Sequence, residues 1–335
     1  MPTTNSTVQE ATLEEYQRAR ELAQAAPRPA RVGSVFCGTA SWTDATLLKE
    51  TDFYPKASRT GRARLEHYAC HFPFVEVDAT YYALLPPENA QNWVLWTPRS
   101  FTFDVKSHPV LTGQPMDAQR LPADLRDAIL ASEQKRRVYA DKLPVPIVEE
   151  IERRFYELLQ PLLQENRFGA LHLQFPPWFA ASRKNEQYLE KLASRWERVP
   201  LAAEFRHASW FEEGRRTRTL DMLTRHHLSL VCVDAPQVEN APPPAIAVTN
   251  SRLAIIRFHG KNARGWQKKG ASVHERFSYL YSPQELATWV APIQQLAGEA
   301  QRVHVTFNNC YRDYGVLNAK DMAALLAQRD GPNPV

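Results

Sequence analysis

Acidic, basic and imidazole side chains recur where short apolar runs of this chain end. Glu204 and Arg206 close one run, and Arg257 and His259 close another. Successive side chains of a strand point to opposite faces, so residues two apart share a face. A carboxylate near an imidazole, whose pKa lies near 6.5, suits general acid and base catalysis at neutral pH. The pattern predicts acid/base chemistry with Glu204 and His259 as the pair.

Two further carboxylates, Glu76 and Asp234, end apolar runs of their own. Near a cation, a carboxylate at such a position serves as general base, electrostatic stabiliser or metal ligand. The predicted catalytic residues are therefore Glu204, His259, Asp234 and Glu76. One alternative is a structural network of ion pairs, because buried charges must be paired. Another is a divalent metal held by Glu204, Asp234 and His259, since barrel ligands come from separate strands.

Three cations, Lys106, Arg206 and Arg257, also stand at the ends of apolar runs. The planar fork of arginine suits two-point binding of carboxylate or phosphate, and lysine acts as a point charge. The basic, aromatic segment 261–281 adds charge in a region where barrels often bind phosphate. An anionic ligand is predicted, although the same cations could instead neutralise the carboxylates.

Neutral polar and aromatic residues complete the predicted site. Gln174 and Asn308 offer donors and acceptors that would orient hydroxyl or amide groups. Three aromatic side chains could wall a sugar or base ring, or simply cover the core. They are Trp42, Tyr82 and Trp210.

Eight apolar runs of strand length, rich in Val, Ile, Leu and Phe, alternate with helix-like sequence. This rhythm predicts a (β/α)₈ TIM-like barrel, whose active face lies at the carboxyl ends of its strands. The runs are Gly33–Thr39, Phe72–Asp78, Phe101–Lys106, Ala170–Phe175, Leu201–Arg206, Leu228–Asp234, Leu253–Gly260 and Val303–Asn309.

The predicted organisation is an N-terminal extension at 1–30 and a single barrel domain at 31–330. Within the barrel, residues 107–165 are much longer than a minimal strand-to-strand connection and contain several prolines. An insertion after a strand lies at the active face, so we expect either a lid or added packing on the rim.

Composition excludes several classes of protein. The 335 residues carry 41 basic and 37 acidic side chains, and a net charge of +4 is too mild to favour nucleic acid. No window approaches the ~20 apolar residues of a membrane span, and the first 30 residues lack the apolar core of a signal peptide. The four cysteines are far apart. We therefore expect a cytoplasmic protein without membrane contact.

Motifs for common cofactors and nucleophiles are missing from the sequence. It contains no P-loop, dinucleotide fingerprint, serine nucleophile elbow or zinc-ligand spacing. The cofactor is therefore left open.

An ordered series of short motifs runs between about residue 33 and residue 326. The motifs include Gly38-Thr39-Ala40-Ser41-Trp42, Phe53-Tyr54-Pro55, Thr80-Tyr81-Tyr82, Phe103-Asp104-Val105-Lys106, Leu173-Gln174-Phe175-Pro176-Pro177, Glu204-Phe205-Arg206-His207, Arg257-Phe258-His259-Gly260 and Phe307-Asn308-Asn309. This series resembles the YecE-like family, domain-of-unknown-function family 72. The resemblance implies a TIM-barrel fold and a set of site positions, without defining a reaction.

Together these features favour an enzyme, a hydrolase, lyase or isomerase, that acts on a small anionic or polyhydroxylated substrate. One alternative is a metal-assisted phosphoester hydrolase. A second is a non-catalytic protein that binds a nucleotide or a nucleic-acid end.

Overall fold

A computed structural model describes residues 8–128 and 137–329. Its strands are β1 Arg31–Val32, β2 Val35–Thr39, β3 Phe74–Val77, β4 Thr102–Lys106, β5 Phe168–Gln174, β6 Leu201–Glu204, β7 Ser229–Asp234, β8 Ala254–Phe258 and β9 Val303–Phe307. Its α-helices are α1 Leu13–Gln24, α2 Ala45–Glu50, α3 Gly61–His71, α4 Ala79–Tyr82, α5 Pro87–Leu95, α6 Ala123–Asp127, α7 Val145–Gln164, α8 Arg183–Arg195, α9 Arg216–Arg225, α10 Ala263–Gln267, α11 Val273–Phe277, α12 Pro283–Glu299 and α13 Tyr314–Arg329. No helix among these residues is long and apolar enough to cross a membrane.

The strands form one curled sheet in the order β1-β2-β9-β8-β7-β6-β5-β4-β3. Strands β2 to β9 pair in parallel, each with its neighbour in the sheet, and β1 pairs antiparallel with β2. Between β2 and β3 the described residues form a single parallel bridge, Ala40 to Glu76, and Ser41 N donates to Glu76 O at 2.8 Å. The mixed α/β fold is confirmed, while continuous closure into a barrel is not established.

All eight predicted strands are present, within a few residues of their predicted bounds. Strand β1 was missed because two residues are too short to display a period of two. The helix within the N-terminal extension, α1, begins with a capping box between Thr12 and Glu15 and packs against α13.

The inner face of the sheet has a polar half at the carboxyl ends of its strands and an apolar cluster near the amino ends of β5 to β8. Small and branched residues form this cluster: Ala170, Ala202, Val231, Leu253 and Ile255. Residues that alternate with them, such as Leu171 and Leu173, join the larger core beneath the helices. The carboxyl half of the inner face is therefore left to polar side chains, as side-chain alternation predicted.

A β-bulge between β4 and β5 shapes the amino-terminal half of the sheet interior. The pairing shifts register after Phe103, opposite Gly169. Asp104 Oδ1 accepts from Ala170 N at 3.1 Å, and its Oδ2 lies 2.8 Å from His304 Nδ1. A side chain at position 169 would collide with this pair, because its Cβ would lie 2.9 Å from His304 Cε1. Position 169 therefore requires glycine, because neighbouring atoms approach its backbone too closely for a side chain.

The predicted insertion at 107–165 contains short turns, α6 and the long helix α7. Helix α7 buries an apolar stripe that includes Ile151, Phe155, Leu158 and Leu162. Such a stripe is typical of a helix packed on a sheet. Residues 129–136 of the insertion lie outside the described part of the chain, and the lid stays a prediction.

Candidate functional site

Three buried ionic groups form the centre of the polar half. Arg257 donates from Nε to Glu76 Oε2 at 2.9 Å and from Nη2 to Glu76 Oε1 at 2.6 Å. Its Nη1 donates to Glu204 Oε2 at 3.2 Å. All three side chains are buried. Arg257 therefore joins two carboxylates that come from β3 and β6, which lie on separate parts of the sheet.

His172, from β5, lies between the same two carboxylates. Its Nδ1 is 3.1 Å from Glu76 Oε2, and its Nε2 is 3.0 Å from Glu204 Oε2. A neutral imidazole has one N–H to donate, so two carboxylate acceptors are satisfied only by imidazolium. Burial alone would lower the pKa of His172, but Glu76 and Glu204 outweigh it and raise that pKa. His172 was not among the predicted site residues, although it shares an inward face with Gln174.

The network holds both carboxylates in the charged form. Burial by itself would raise the pKa of each, but Arg257 and His172 bring the pKa of Glu76 below its usual range. Arg257, Arg206 and the hydrogen bond from His172 bring the pKa of Glu204 well below its usual range. The carboxylates in turn raise the pKa of Arg257 against the effect of burial. Glu76 and Glu204 therefore act as fixed negative charges at neutral pH.

His259 lies at the edge of this network and is neutral. Its Nε2 is 3.3 Å from Glu204 Oε1, and its Nδ1 is 2.9 Å from Asn308 Nδ2. Burial lowers the pKa of His259 to about 3, despite the opposing charge of Glu204. A tautomer protonated on Nε2 fits these contacts, since Nδ1 then accepts from the amide of Asn308. Glu204, His259 and Asn308 thus lie together in the structure.

Gln174 and Arg206 extend the network toward solvent. Gln174 Nε2 donates to Glu204 Oε1 at 2.7 Å, and Arg206 Nε donates to the same oxygen at 2.9 Å. The side chain of Arg206 is 23% exposed and its guanidinium lies 5.3 Å from the centre of the Trp266 ring. Arg206 is therefore the cation of the network that solvent can reach. We call this open end of the polar half the mouth, bounded by Arg206, Lys106 and Asp78.

Lys106 and Asp78 lie on the β3–β4 side of the mouth. Lys106 Nζ is 3.4 Å from Asp78 Oδ1 and 4.6 Å from the centre of the Tyr81 ring. Lys106 contributes to the lowered pKa of Glu76, and Asp78 to the raised pKa of Arg257. Tyr82, next to Tyr81, is 43% exposed. Of the predicted binding residues, Lys106 therefore lies beside the network, whereas Tyr82 is exposed and contacts Tyr81 and Arg120.

Asp234 does not join the other predicted catalytic residues. Val231 and Val233 of the same strand belong to or pack on the inner apolar cluster, so Asp234 points to the outer face. Its Oδ2 lies 3.9 Å from Lys261 Nζ, and burial raises its pKa against the effects of Lys261 and Tyr281. The expectation that Asp234 converges on the network is not met.

Two of the predicted aromatic walls lie in packed layers. Trp210 is fully buried, donates from Nε1 to Phe179 O at 2.7 Å and stacks on Phe205. Trp42 is half-buried and meets Trp93 edge to face. Phe205 alternates with Glu204, which places Trp210 beneath the helices and away from the network.

Lysines of the basic segment 261–281 are less available to an anionic ligand than its composition indicates. Lys261 Nζ lies 3.3 Å from Glu285 Oε1, and Lys268 Nζ lies 2.6 Å from Glu275 Oε1. Both lysines therefore have acidic partners, and the cations that bound the mouth are Arg206 and Lys106.

A metal ion needs several donor side chains around one point. The described residues contain no group of three or more His, Cys, Asp or Glu side chains arranged to hold a metal ion. The predicted trio of Glu204, Asp234 and His259 is divided, because Asp234 faces outward. Arg257 also occupies the space between the two central carboxylates, where it opposes a further cation.

A separate cavity of about 1300 Å³ opens at the other end of the sheet. It is lined near the amino ends of the strands, by residues that include Gly169, Leu201 and Ser229. We place the candidate site at the mouth because the cavity lies away from the buried ionic groups.

The raised pKa of His172 predicts a pH-dependent contribution to stability. The pKa of His172 is higher in the folded state than in the unfolded state. Its contribution to stability is therefore complete below about pH 6.5 and is lost as pH rises through the folded-state pKa. We expect His172→Gln to destabilise the protein more at pH 6 than at pH 9 in urea unfolding. Each unit by which the folded pKa exceeds 6.5 corresponds to about 1.4 kcal/mol.

His71→Gln is a control, because the contribution of His71 to stability should change with pH in the opposite direction. Burial, helped by Lys320, lowers the pKa of His71 to about 4. Its contribution is therefore present above about pH 6.5 and is lost as pH falls. A pH-independent effect of His172→Gln would contradict the imidazolium assignment.

Fold and site together define an α/β protein with a curled parallel sheet and a buried ionic network at the carboxyl ends of its strands. The profile of a family described as "Protein of unknown function DUF72" matches residues 36–334. This chain therefore belongs to the DUF72 family, as its motifs predicted.

Individual relatives agree with this assignment. UPF0759 protein YunF of Bacillus subtilis (strain 168) is 32% identical over 297 residues, which cover 87% of this chain and 94% of that protein. UPF0759 protein YecE of Escherichia coli (strain K12) is 26% identical over 259 residues, which cover 69% and 83%.

Crystal structures of two DUF72 family proteins share the fold. The protein from Enterococcus faecalis V583 has a TM-score of 0.70 at 28% identity, with 88% of this chain and 95% of that chain covered. The protein from Thermotoga maritima MSB8 has a TM-score of 0.68 at 29% identity, with 88% and 99% covered.

Proposed function

We propose that this protein is a cytoplasmic enzyme that binds a small anionic or polyhydroxylated substrate at the mouth and acts on it by proton transfer. In this proposal the sheet works as a (β/α)₈-type barrel, with the site at the carboxyl ends of the strands. The ionic network forms the floor of the site, and Arg206 and Lys106 receive the anionic group of the substrate.

The charge of the buried network carries the proposal. Arg206, Arg257 and the imidazolium of His172 supply three positive charges, whereas Glu76 and Glu204 supply two negative charges. One positive charge is left without a carboxylate in the network. Burying so many ions is costly, and it is not an efficient way to stabilise a fold. An anion beside the part-exposed guanidinium of Arg206 would neutralise the remaining positive charge.

The contacts suggest different roles for the predicted residues. Glu204 accepts from Gln174, Arg206 and Arg257, so neither oxygen is free to exchange a proton with a substrate. Glu204 and His259 therefore serve best as positioning residues, with Glu204 as a fixed charge. Proton transfer then falls to groups at the mouth that have unused donors or acceptors.

Phosphate binding tests the anion site. Thermal melts in rising phosphate at fixed ionic strength should show a saturating rise in stability, about 2.7 kcal/mol at a hundredfold excess over Kd. Arg206→Gln should remove most of that rise, because a charged two-point contact is lost. Arg257 is unsuitable for this test, since it is fully buried and bound to both carboxylates.

Arg62→Gln is the matched control, because Arg62 is an exposed arginine on α3 that pairs with Glu66. It should keep the wild-type response to phosphate. Equal, unsaturated shifts in all three proteins would overturn the anion site. Turnover of a panel of hydroxylated anions, followed by NMR and lost in Arg206→Gln, separates an enzyme from a binding protein.

A further inference from the structure

Trp266 supports the guanidinium to which the proposed function assigns the anion. The guanidinium carbon of Arg206 lies 5.3 Å from the centre of the Trp266 ring, a distance at which a cation and an aromatic face attract each other. The same side chain donates from Nε to Glu204 Oε1 at 2.9 Å. Among the described residues, Nη1 and Nη2 of Arg206 make no hydrogen bond. The ring and Glu204 therefore hold the guanidinium without using the two groups that would contact an anion.

The indole ring is itself held by neighbouring rings. It meets the imidazole of His259 edge to face, with ring centres 5.8 Å apart, and the ring of Phe277 in the same manner at 5.7 Å. His259 belongs to the ionic network through Glu204. Trp266 thus packs on the network and on Arg206 together.

The backbone position of Trp266 depends on contacts outside its own helix. Helix α10 has five residues, too few for a stable helix without support. Asn262 fixes its start, because its Oδ1 accepts from Gly265 N at 3.0 Å and its O accepts from Trp266 N at 3.2 Å. Asn262 is buried, and its Nδ2 donates to Glu275 O at 2.7 Å and to Ser278 Oγ at 3.1 Å. Ser278 is therefore part of the support of α10.

Ser278 is attached in turn to the N-terminal extension. Its side chain is fully buried, and its Oγ accepts from Gln9 N at 3.0 Å. Ala11 N donates to Tyr314 OH at 2.9 Å, and helix α1, which follows, packs against α13. Residues 8–12 therefore connect the support of α10 to α13.

We propose that Trp266 is a positioning residue for Arg206, and that residues 8–12 hold Trp266 in place and thereby raise the affinity of the mouth for an anion. This inference rests on the proposed function and adds a control of the same site by the N-terminal extension. A guanidinium that is already held loses little freedom when an anion binds. If α10 loosens, the guanidinium must be ordered again on binding, and the affinity falls.

Titration with inorganic phosphate tests the role of Trp266. Trp266→Leu removes the aromatic face and should weaken phosphate binding about fivefold, within the range of a cation–ring contact. Trp266→Phe should retain most of the affinity, since it keeps an aromatic face and the indole Nε1 has no hydrogen-bond partner among the described residues. Trp178→Leu, at an exposed tryptophan, is the matched control and should bind phosphate as wild type does. Equal affinity of Trp266→Leu and wild type, or equal losses in Trp266→Leu and Trp266→Phe, would overturn the positioning role.

Gln9→Pro tests the link to the N-terminal extension, because proline has no backbone N–H to donate to Ser278. Hydrogen exchange in peptides that cover 262–278, measured by mass spectrometry, should become about fivefold faster, as expected when one hydrogen bond is lost. Phosphate affinity should fall by about twofold to fivefold for the same reason. Gln9→Ala keeps the N–H and should behave as wild type. Ser278→Ala removes the acceptor and carries the test if Gln9→Pro fails to fold.

The outcomes separate this inference from the proposed function. Equal exchange rates in Gln9→Pro and Gln9→Ala would show that the extension does not hold α10. Faster exchange with unchanged phosphate affinity would overturn the control of the mouth by the extension. If the wild-type protein fails to bind phosphate, the proposed function and the positioning role of Trp266 fall together, and the exchange rates still decide whether the extension holds α10.

Discussion

Arg257→Met lowers the free energy of unfolding by about 3–5 kcal/mol, since Glu76 and Glu204 both lose the buried guanidinium that is hydrogen-bonded to them. Glu76 loses both of its charged hydrogen bonds from arginine, and Glu204 loses one. The carboxylates would then have His172 as their remaining shared partner. Urea unfolding at pH 7 measures the change.

Glu76→Gln in the same background provides a direct check of the cause. Removing one of the two negative charges should restore part of the lost stability, because the repulsion between the carboxylates is gone. Arg62→Gln should change stability by less than about 0.5 kcal/mol, as exposed pairs usually do. A buried network that tolerated Arg257→Met as well as Arg62→Gln would contradict the ion pairing of Arg257 with Glu76 and Glu204 described here.

Gly169→Ala is expected to destabilise the protein by roughly 1–3 kcal/mol or more, the usual cost of overfilling a packed interior. The new methyl group would collide with Asp104 and lie 2.9 Å from His304 Cε1. His304 is stacked on Phe74 and cannot easily move away. Thermal or urea unfolding measures the loss.

Gly298→Ala is the matched control. Gly298 lies in α12, and no atom lies within 4 Å of the position its Cβ would take. Alanine is favoured over glycine in a helix by up to about 1 kcal/mol, so this variant should be as stable as wild type or more stable. If Gly169→Ala and Gly298→Ala changed stability equally, close packing at the β-bulge would not explain the need for glycine at position 169.

Local sequence was sufficient to predict the strands and to identify most of the inward-facing residues. Each strand shows the period of two, which depends only on neighbours along the chain. Glu204, Arg257, His259 and Asn308 were therefore assigned to one face from alternation alone, and the structure brings them together.

The alternation of side chains along the strands also bears on residues that the sequence prediction left out or placed wrongly. His172 lies two residues before Gln174, on the inward face, yet it gave no other signal because no carboxylate is near it in sequence. Asp234 follows inward-facing Val231 and Val233 with the opposite parity, which predicts an outward side chain. Trp210 likewise packs on outward-facing Phe205.

The sequence by itself determined the family, the order of strands and helices, and the face on which most polar residues lie, because all of these are local or ordered along the chain. The tertiary structure decided which charges pair. His172 bridges carboxylates that are 96 and 32 residues away, and Arg257 reaches Glu76 across 181 residues. Such pairing depends on the curl of the sheet and the register of its strands.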